Sequence, residues 1–168
     1  PHLAPYFQQH GHALIFSNSR SVGQEITRDL LVHNVAAGYL DGEDAVSKRV
    51  SEIERLKMGE LKALVAPQVL DEGIDIPSAR TAVILGVGNF GYRQVLQRAG
   101  RVLRRVDGQA TPVIIITAAA GGADDPNLGL EGTSYGELSK HIPDSAARIV
   151  DFGALESTKA HLAWVFSD

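Results

Sequence analysis

The sequence predicts an α/β fold, a three-layer sandwich in which helices cover both faces of a mostly parallel central sheet. From residue 12 to residue 117, short apolar segments alternate with amphipathic segments of helical period, which favours strand–helix–strand units. Most of the apolar segments are continuous rather than alternating, as is typical of strands buried on both faces. In such folds ligands bind beyond the carboxyl ends of the strands. We therefore expect a functional site in the polar and glycine-rich segments that follow the strands.

Five segments have the length and composition of buried strands. They are His12–Phe16, Asn34–Tyr39, Lys62–Ala66, Thr81–Leu85 and Pro112–Thr117. Polar or glycine-rich segments follow three of them, and these are Ser17–Ser21, Pro67–Asp75 and Gly86–Gly91. Because the carboxyl ends of parallel strands share one edge of a sheet, these three segments are predicted to lie along that edge.

Two amphipathic helices are predicted between the first three strands. The first is Val22–Val32 with Ser21 as its N-cap, and the second is Glu43–Met58 with Gly59 as its C-cap glycine. The residues expected to face the core are Val22, Ile26, Leu30 and Leu31 in the first helix and Val46, Val50, Ile53 and Leu56 in the second. The turn before the first helix is a natural anion site, because the first amides of a helix lack intrahelical acceptors. A βα connection that binds nothing is the alternative.

The length of 168 residues fits one domain with a sizeable core. We expect residues 1–11 to be a linker or entry segment, residues 12–117 to form the α/β body, and residues 118–168 to form a glycine-rich acidic loop and C-terminal helices that pack on the same domain. Pro1 is not a natural first residue, so we expect the chain to be part of a longer protein.

Several classes of protein and site are excluded by composition. The absence of cysteine excludes disulfides, thiolate zinc sites and cysteine nucleophiles. No apolar run approaches the roughly 18 residues of a membrane span, so we expect no membrane partner. His2, His10 and His12 are close in sequence but have no carboxylate among them, and no metal site is predicted.

The basic charge of the chain is concentrated in one segment. Residues 1–105 carry 13 basic and 11 acidic residues, whereas residues 106–168 carry 3 and 9. Five of the eleven arginines lie in Arg93–Arg105, and no acidic residue occurs between Asp75 and Asp107. The net charge of −4 therefore hides a local basic region that allows a polyanionic partner.

The segment Arg93–Arg105 has the pattern of a half-buried helix. Its apolar residues form one stripe, and Gln97, Arg101 and Arg104 form a second face that carries only polar side chains. The planar guanidinium group of arginine suits phosphate. The alternative is a solvated basic face.

The segment Gly86–Gly91 matches G-x-G-x-x-G after a predicted strand, the context of a dinucleotide-binding fingerprint. The segment lies late in the fold, whereas that fingerprint normally occupies the first βα turn. The acidic residue expected at the end of the next strand is also missing. Nucleotide-cofactor binding is therefore the less favoured alternative.

Three segments together resemble the second RecA-like domain of superfamily 2 helicases of the DEAD/DEAH type. Ala13–Arg20 resembles motif IV, and Ala63–Pro77 resembles motif V. Gln97–Arg104 matches the pattern Q-x-x-G-R-x-x-R of motif VI at each fixed position. The resemblance covers His12 to about Thr117, and it is greater to the XPB-like and restriction-helicase-like branch than to the RNA-directed DEAD-box branch. It implies a RecA-like fold of the P-loop NTPase type.

The resemblance implies a role for each matched residue near the nucleotide. Arg101 and Arg104 would be arginine fingers that reach the phosphates of ATP bound on a partner RecA-like domain. Gln97 would contact or orient the nucleotide. Gly73 and Asp75 in motif V would approach it, with Asp75 toward the ribose.

The resemblance also implies contacts with nucleic-acid phosphates, which are independent of sequence and sensitive to salt. Ser17, Asn18, Ser19 and Arg20 would make these contacts. Pro67 stands where the family usually has Thr or Ser. The backbone near Pro67 would also contact phosphates. Because proline has neither a hydroxyl nor an amide hydrogen, however, the hydroxyl contact that the family commonly makes is missing at that position.

The resemblance implies the C-terminal half of an ATP-dependent nucleic-acid helicase or translocase. ATP and Mg²⁺ would be bound mainly by an upstream RecA-like domain, because this chain has no G-x-x-x-x-G-K-[ST] phosphate loop. The isolated chain is expected to hydrolyse no ATP. The expected partners are that domain and nucleic acid, with DNA favoured over RNA, in the cytoplasm or at the nucleoid. The alternative is a stand-alone nucleic-acid-binding or regulatory module without motor activity.

Overall fold

The computed structural model describes residues 3–17, 19–66, 79–85, 112–117 and Lys140. Its strands in these ranges are β1 Ala13–Phe16, β2 Ala37–Tyr39, β3 Ala63–Ala66, β4 Thr81–Leu85 and β5 Val113–Thr117. Its helices there are α1 Ala4–His10, α2 Arg20–Val32 and α3 Val46–Lys57. The strands form one sheet in the order β2-β3-β1-β4-β5, and every described pairing is parallel. The predicted α/β fold is confirmed, and each of the five predicted strands is present.

The core lies on both faces of the sheet, which explains why the strand sequences are continuously apolar. In β1, Leu14 and Phe16 belong to one buried cluster, whereas Ala13 and Ile15 belong to the cluster on the opposite face. Helix α3 contributes to the first cluster, and helices α1 and α2 contribute to the second. Successive residues of one strand therefore pack on opposite faces of the sheet, because side chains alternate in direction along a strand.

Helix α1, Ala4–His10, occupies most of the segment that we expected to be a linker or entry segment. Ala4 and Phe7 are buried in the cluster on the α2 side of the sheet. Gly11, with a φ of 63°, ends the helix and donates its amide hydrogen to the carbonyl of Phe7 at 2.9 Å. A seven-residue helix has little stability of its own and depends on these two buried side chains. The predicted domain boundaries stay predictions.

Three of the residues that we expected in the core are exposed, and that expectation is wrong for them. Leu31 in α2 and Val46 and Val50 in α3 are all more than half exposed. The buried residues of α3 are Ile53 and Leu56, which lie in its second half. The helix has 12 residues, about 18 Å, whereas β2 and β3 have only three and four. The first half of α3 thus extends beyond the strands that it covers.

Helix α3 ends as predicted at Gly59. This glycine has a φ of 77° and donates its amide hydrogen to the carbonyl of Leu56 at 3.0 Å. The amide of Glu60 donates to the carbonyl of Arg55 at 3.0 Å, which completes a Schellman motif. In the described part of the chain no helix has the length and apolar character that crossing a membrane requires.

The strand register places the ends of β1, β2 and β3 side by side. Phe16, the last residue of β1, pairs with Ala66 of β3 and with Ile84 of β4, and Tyr39 of β2 pairs with Val65. The connections that leave β1 and β2 therefore emerge at the same edge of the sheet. That edge is the place where parallel α/β folds bind ligands.

Candidate functional site

The described part of the predicted site is the connection from β1 to α2. The side chain of Ser17 is fully buried, and its hydroxyl donates to the carbonyl oxygen of Ser19 at 2.9 Å. The Oγ of Ser19 accepts the amide hydrogen of Val22 at 3.3 Å. The prediction of Ser21 as the N-cap is therefore wrong, because Ser19 caps the helix and Ser21 lies in its first turn. The two hydroxyls of Ser19 and Ser21 are 3.2 Å apart.

A glycine allows α2 to lie close to this connection. Gly23 is buried in the second turn of α2. A Cβ atom at this position would lie 2.8 Å from the Oγ of Ser17 and 2.9 Å from the Cε2 of Tyr39, closer than side-chain atoms normally approach. Because Gly23 has no side chain, α2 can pack closely against both the loop after β1 and strand β2.

Arg20, the first residue of α2, reaches the loop that follows β2. Its Nη2 donates to the Oε1 of Glu43 at 2.8 Å and lies 3.2 Å from the Oδ1 of Asp41. The hydrogen bond to Glu43 and the charge of Asp41 raise the pKa of the Arg20 guanidinium above its ordinary value. Arg20 is therefore held between two carboxylates, and its side chain remains 56% exposed.

Asp41 is fixed by two hydrogen bonds. Its Oδ2 accepts the hydroxyl hydrogen of Tyr39 at 3.2 Å, and its Oδ1 accepts the amide hydrogen of Glu43 at 3.2 Å. Burial, and after it the hydrogen bond to Asp41, raise the pKa of the Tyr39 phenol. Because one carboxylate joins β2, the following loop and α2, the geometry of Arg20 depends on Asp41.

The loop is also anchored to the start of α3 through Asp44. Its Oδ2 accepts the amide hydrogen of Asp41 at 2.7 Å, and its Oδ1 accepts a hydrogen from the Nζ of Lys48 at 2.8 Å. The hydrogen bond from Lys48 and the one from the Asp41 amide lower the pKa of the Asp44 carboxyl. Asp41 and Asp44 thus each accept an amide hydrogen bond from within the loop, which holds its backbone in place.

Replacing Tyr39 by Phe is expected to lower the free energy of unfolding by about 0.5–1.5 kcal/mol, because Asp41 loses one hydrogen-bond donor. The raised pKa of Tyr39 means that the unfolded chain loses the phenolic proton first as the pH rises above about 10. Tyr39 therefore favours the folded state less at higher pH, and this part of the alkaline loss of stability is expected to vanish in the Phe variant. Urea denaturation of both proteins at pH 7 and pH 10.5 measures the two effects. Equal stabilities at pH 7 would contradict the role given to the hydroxyl.

Among the described residues at this connection and at the loop after β2, charges of both signs occur in equal numbers. The basic side chains are Arg20, Lys48 and Arg49, and the acidic ones are Asp41, Glu43 and Asp44. The described edge is therefore not a basic patch, in contrast to the unmixed basic charge of the segment Arg93–Arg105. A phosphate at this edge would have to be bound by specific donors rather than by a general positive potential.

The structure brings together three of the predicted site residues and does not describe the others. Ser17, Ser19 and Arg20 lie at one connection, where Ser17 and Ser19 make local hydrogen bonds and Arg20 bonds to Glu43 in the loop after β2. The predicted residues outside the described ranges are Asn18, Gly73, Asp75, Gln97, Arg101 and Arg104. Pro67 and the segment Gly86–Gly91 also lie outside them. Among the described residues, no group of His, Asp and Glu side chains is arranged to hold a metal ion.

Sequence reasoning missed four residues that shape this site, namely Gly23, Tyr39, Asp41 and Glu43. We predicted Glu43 to be the first residue of the second helix, whereas α3 begins at Val46 and Glu43 lies in the loop before it. The available signal was the presence of two acidic residues, Asp41 and Glu43, shortly after a predicted strand. The sequence did not indicate that Arg20 is the residue with which they pair. The loop after β2 comes near α2 only because of the strand order, which local sequence does not reveal.

The chain matches a known protein family over more than half of its length. The family described as "Helicase conserved C-terminal domain" matches residues 2–106. The chain is 33% identical over 104 residues to the DNA 3'-5' translocase XPB2 of Sulfurisphaera tokodaii, covering 62% of this chain and 22% of that protein. It is 33% identical over 101 residues to the UvrABC system protein B of Prochlorococcus marinus (strain MIT 9303), covering 58% of this chain and 15% of that protein. The chain thus spans less than a quarter of either relative.

Solved structures support the fold. The C-terminal domain of the DEAD-box protein Dbp5 superposes with a TM-score of 0.70 at 20% identity, covering 97% of this chain and 88% of that chain. This likeness confirms the RecA-like architecture that the resemblance implied, and the relatives confirm the resemblance to superfamily 2 helicases and their XPB-like branch. The chain therefore belongs to the helicase C-terminal domain family and is a RecA-like C-terminal domain of the superfamily 2 type.

Proposed function

We propose that this domain is the C-terminal half of an ATP-dependent translocase or helicase that acts on DNA. The observation that carries the proposal is the family match over residues 2–106, which contains all three motif segments. The name of the relative from Sulfurisphaera tokodaii, a DNA translocase, supports DNA rather than RNA as the partner. The whole activity would require further domains, since the chain corresponds to only 22% of that relative.

The connection from β1 to α2 would hold the phosphates of a nucleic-acid strand. It lies at the carboxyl edge of the sheet and opens a 13-residue helix. The positive end of the helix dipole and the first amides favour an anion there. Arg20 adds a charged donor at the same end of the helix, and Asn18 completes the predicted set. Because such contacts read no base, binding would be independent of sequence and would weaken with salt.

The nucleotide site would be shared between this domain and an upstream RecA-like domain. Arg101 and Arg104 would supply the arginine fingers, and Gln97, Gly73 and Asp75 would approach the nucleotide. These assignments rest on the family motifs. When bound, ATP with Mg²⁺ supplies the phosphoryl transfer that drives a motor of this class, and the phosphate loop that holds it would lie on the upstream domain.

The 168-residue chain alone is expected to bind DNA in a salt-dependent way and to hydrolyse no ATP, because it lacks the phosphate loop. The whole protein is expected to hydrolyse ATP and to do so faster with DNA. Phosphate release by both proteins, with and without DNA, and fluorescence anisotropy with a labelled oligonucleotide measure these outcomes. Brisk hydrolysis by the isolated chain would contradict the proposal. DNA binding by the whole protein without any hydrolysis would favour the alternative of a binding module without motor activity.

A further inference from the structure

The ion pairs of Arg20 limit what its guanidinium group can bind. A guanidinium has two edges that present paired hydrogens to a phosphate, namely the Nε–Nη2 edge and the Nη1–Nη2 edge. Both edges include Nη2. This is the atom that donates to Glu43 at 2.8 Å and lies 3.2 Å from Asp41. Nη2 carries one hydrogen on each edge, and Glu43 accepts one of them. On that edge a phosphate cannot take the two-point contact that arginine favours until Glu43 leaves Nη2.

The two carboxylates are not equally able to release Arg20. Asp41 is only 17% exposed and accepts hydrogen bonds from Tyr39 and from the backbone of its own loop. The side chain of Glu43 is 78% exposed, and it is long and flexible, so its carboxylate can move away. An ion pair at such an exposed position contributes little and is readily exchanged. Glu43 is therefore the partner that an incoming anion can displace.

We propose that Glu43 is a releasable counter-ion of Arg20, which occupies the guanidinium when no nucleic acid is bound and is displaced by a backbone phosphate. Asp41 stays in place and keeps the arginine at the carboxyl edge. This inference rests on the proposed function, since it assumes that the connection from β1 to α2 receives a nucleic-acid strand. The inference adds an acidic residue, Glu43, which competes with the phosphate for Arg20 and so weakens the contact between them.

The exchange has a direct consequence for affinity. In the natural protein a two-point contact on the edge that Glu43 occupies requires Glu43 to separate from Arg20, and the cost of that separation is subtracted from the phosphate contact. For an exposed pair the cost corresponds to about a two- to fivefold weaker affinity. Removing the charge of Glu43 should therefore strengthen binding, whereas removing Arg20 should abolish the effect of Glu43.

The test uses the 168-residue chain and a fluorescein-labelled single-stranded DNA of random sequence, with dissociation constants measured by anisotropy at several salt concentrations. Glu43→Gln is expected to tighten binding about two- to fivefold. Arg20→Ala is expected to weaken binding and to reduce the slope of log affinity against log salt by about 0.7, the value for one phosphate contact on a single strand. Arg20→Ala combined with Glu43→Gln should behave like Arg20→Ala alone.

The matched control is Glu54→Gln, which makes the same change in net charge on α3. Glu54 is exposed and pairs with Lys57 at 3.0 Å rather than with Arg20. This variant is expected to bind like the natural chain, with a thermal unfolding midpoint close to that of Glu43→Gln. Equal tightening by Glu54→Gln and Glu43→Gln would assign the effect to overall charge and overturn the inference. A gain from Glu43→Gln that persists without Arg20 would overturn it as well.

The remaining outcomes separate the inference from the proposed function. If Arg20→Ala weakens binding but Glu43→Gln does not change it or weakens it, the inference fails and the phosphate contact of the proposed function stands. If the natural chain does not bind the strand, or if Arg20→Ala changes neither affinity nor salt slope, the phosphate contact at Arg20 fails and the inference fails with it.

Discussion

Replacing Arg101 or Arg104 by Ala is expected to reduce ATP turnover by the whole protein about a thousandfold or more while the domain stays folded. An arginine finger stabilises the negative charge that develops on the transferred phosphoryl group, and its removal typically costs three to five orders of magnitude in rate. The i, i+3 spacing of Arg101 and Arg104 places both on one face of the predicted helix. Steady-state phosphate release at saturating DNA measures the loss.

Controls for this prediction come from the same segment. Arg98→Ala and Arg105→Ala remove the same charge from positions with no assigned finger, and we expect much smaller losses of turnover from them. Circular dichroism spectra and thermal unfolding midpoints should be similar for all four variants. Natural turnover in both the Arg101 and the Arg104 variants would remove the finger assignment, whereas equal losses in all four would indicate a general charge effect.

Replacing Gly23 by Ala is expected to destabilise the domain, although helix propensity alone predicts the opposite. In an unobstructed helix the change from Gly to Ala gains about 1 kcal/mol. Here the new Cβ would meet the Oγ of Ser17 at 2.8 Å and the ring of Tyr39 at 2.9 Å. Overpacking of this kind costs about 1–3 kcal/mol, which lowers the unfolding midpoint by about 2–4 °C for each kcal/mol lost. Because the clash lies on the β1–α2 connection, DNA binding should weaken as well.

The control for the glycine is its neighbour in the same helix. Gln24 is exposed, so Gln24→Ala changes helix propensity without steric conflict and is expected to leave stability within about 0.5 kcal/mol. Thermal unfolding and DNA anisotropy on the two variants and the natural chain give the comparison. A rise in the midpoint of Gly23→Ala would show that the helix can move away from Ser17 and Tyr39 at little cost.

The sheet could be predicted from the sequence because its signal is strong and local. Segments such as Ala63–Ala66 are continuously apolar and buried at every residue, and runs of this kind have the length of a strand but are too short for a typical helix. Helix α1 could not be predicted, because seven residues that bury only Ala4 and Phe7 leave no repeating period to detect. Val46 and Val50 follow the helical period correctly, yet both are exposed because the first half of α3 extends past the strands. Their exposure could not be predicted, because the sequence of a helix does not specify the length of the strands that it covers.

The candidate site was predictable in its location but not in its contacts. The polar turn after β1 indicated an anion site, and the structure places Ser17, Ser19 and Arg20 there. Which partner each side chain takes depends on tertiary packing. The inward hydroxyl of Ser17 requires Gly23 behind it, and the pairing of Arg20 requires the loop after β2. Both depend on how α2 is placed against the sheet.

The strand order has a consequence for how the domain acquires its structure during synthesis. β1 pairs only with β3 and β4 among the described strands, and β2 pairs with β3. The first 57 residues therefore contain two strands and three helices without a single pairing between strands. A nascent chain emerging from the ribosome would gain its first strand pairing only once Ala63–Ala66 is available. The pairing of the strands in this domain is therefore non-local from its first step, and topologies with non-local pairings fold slowly relative to helical ones.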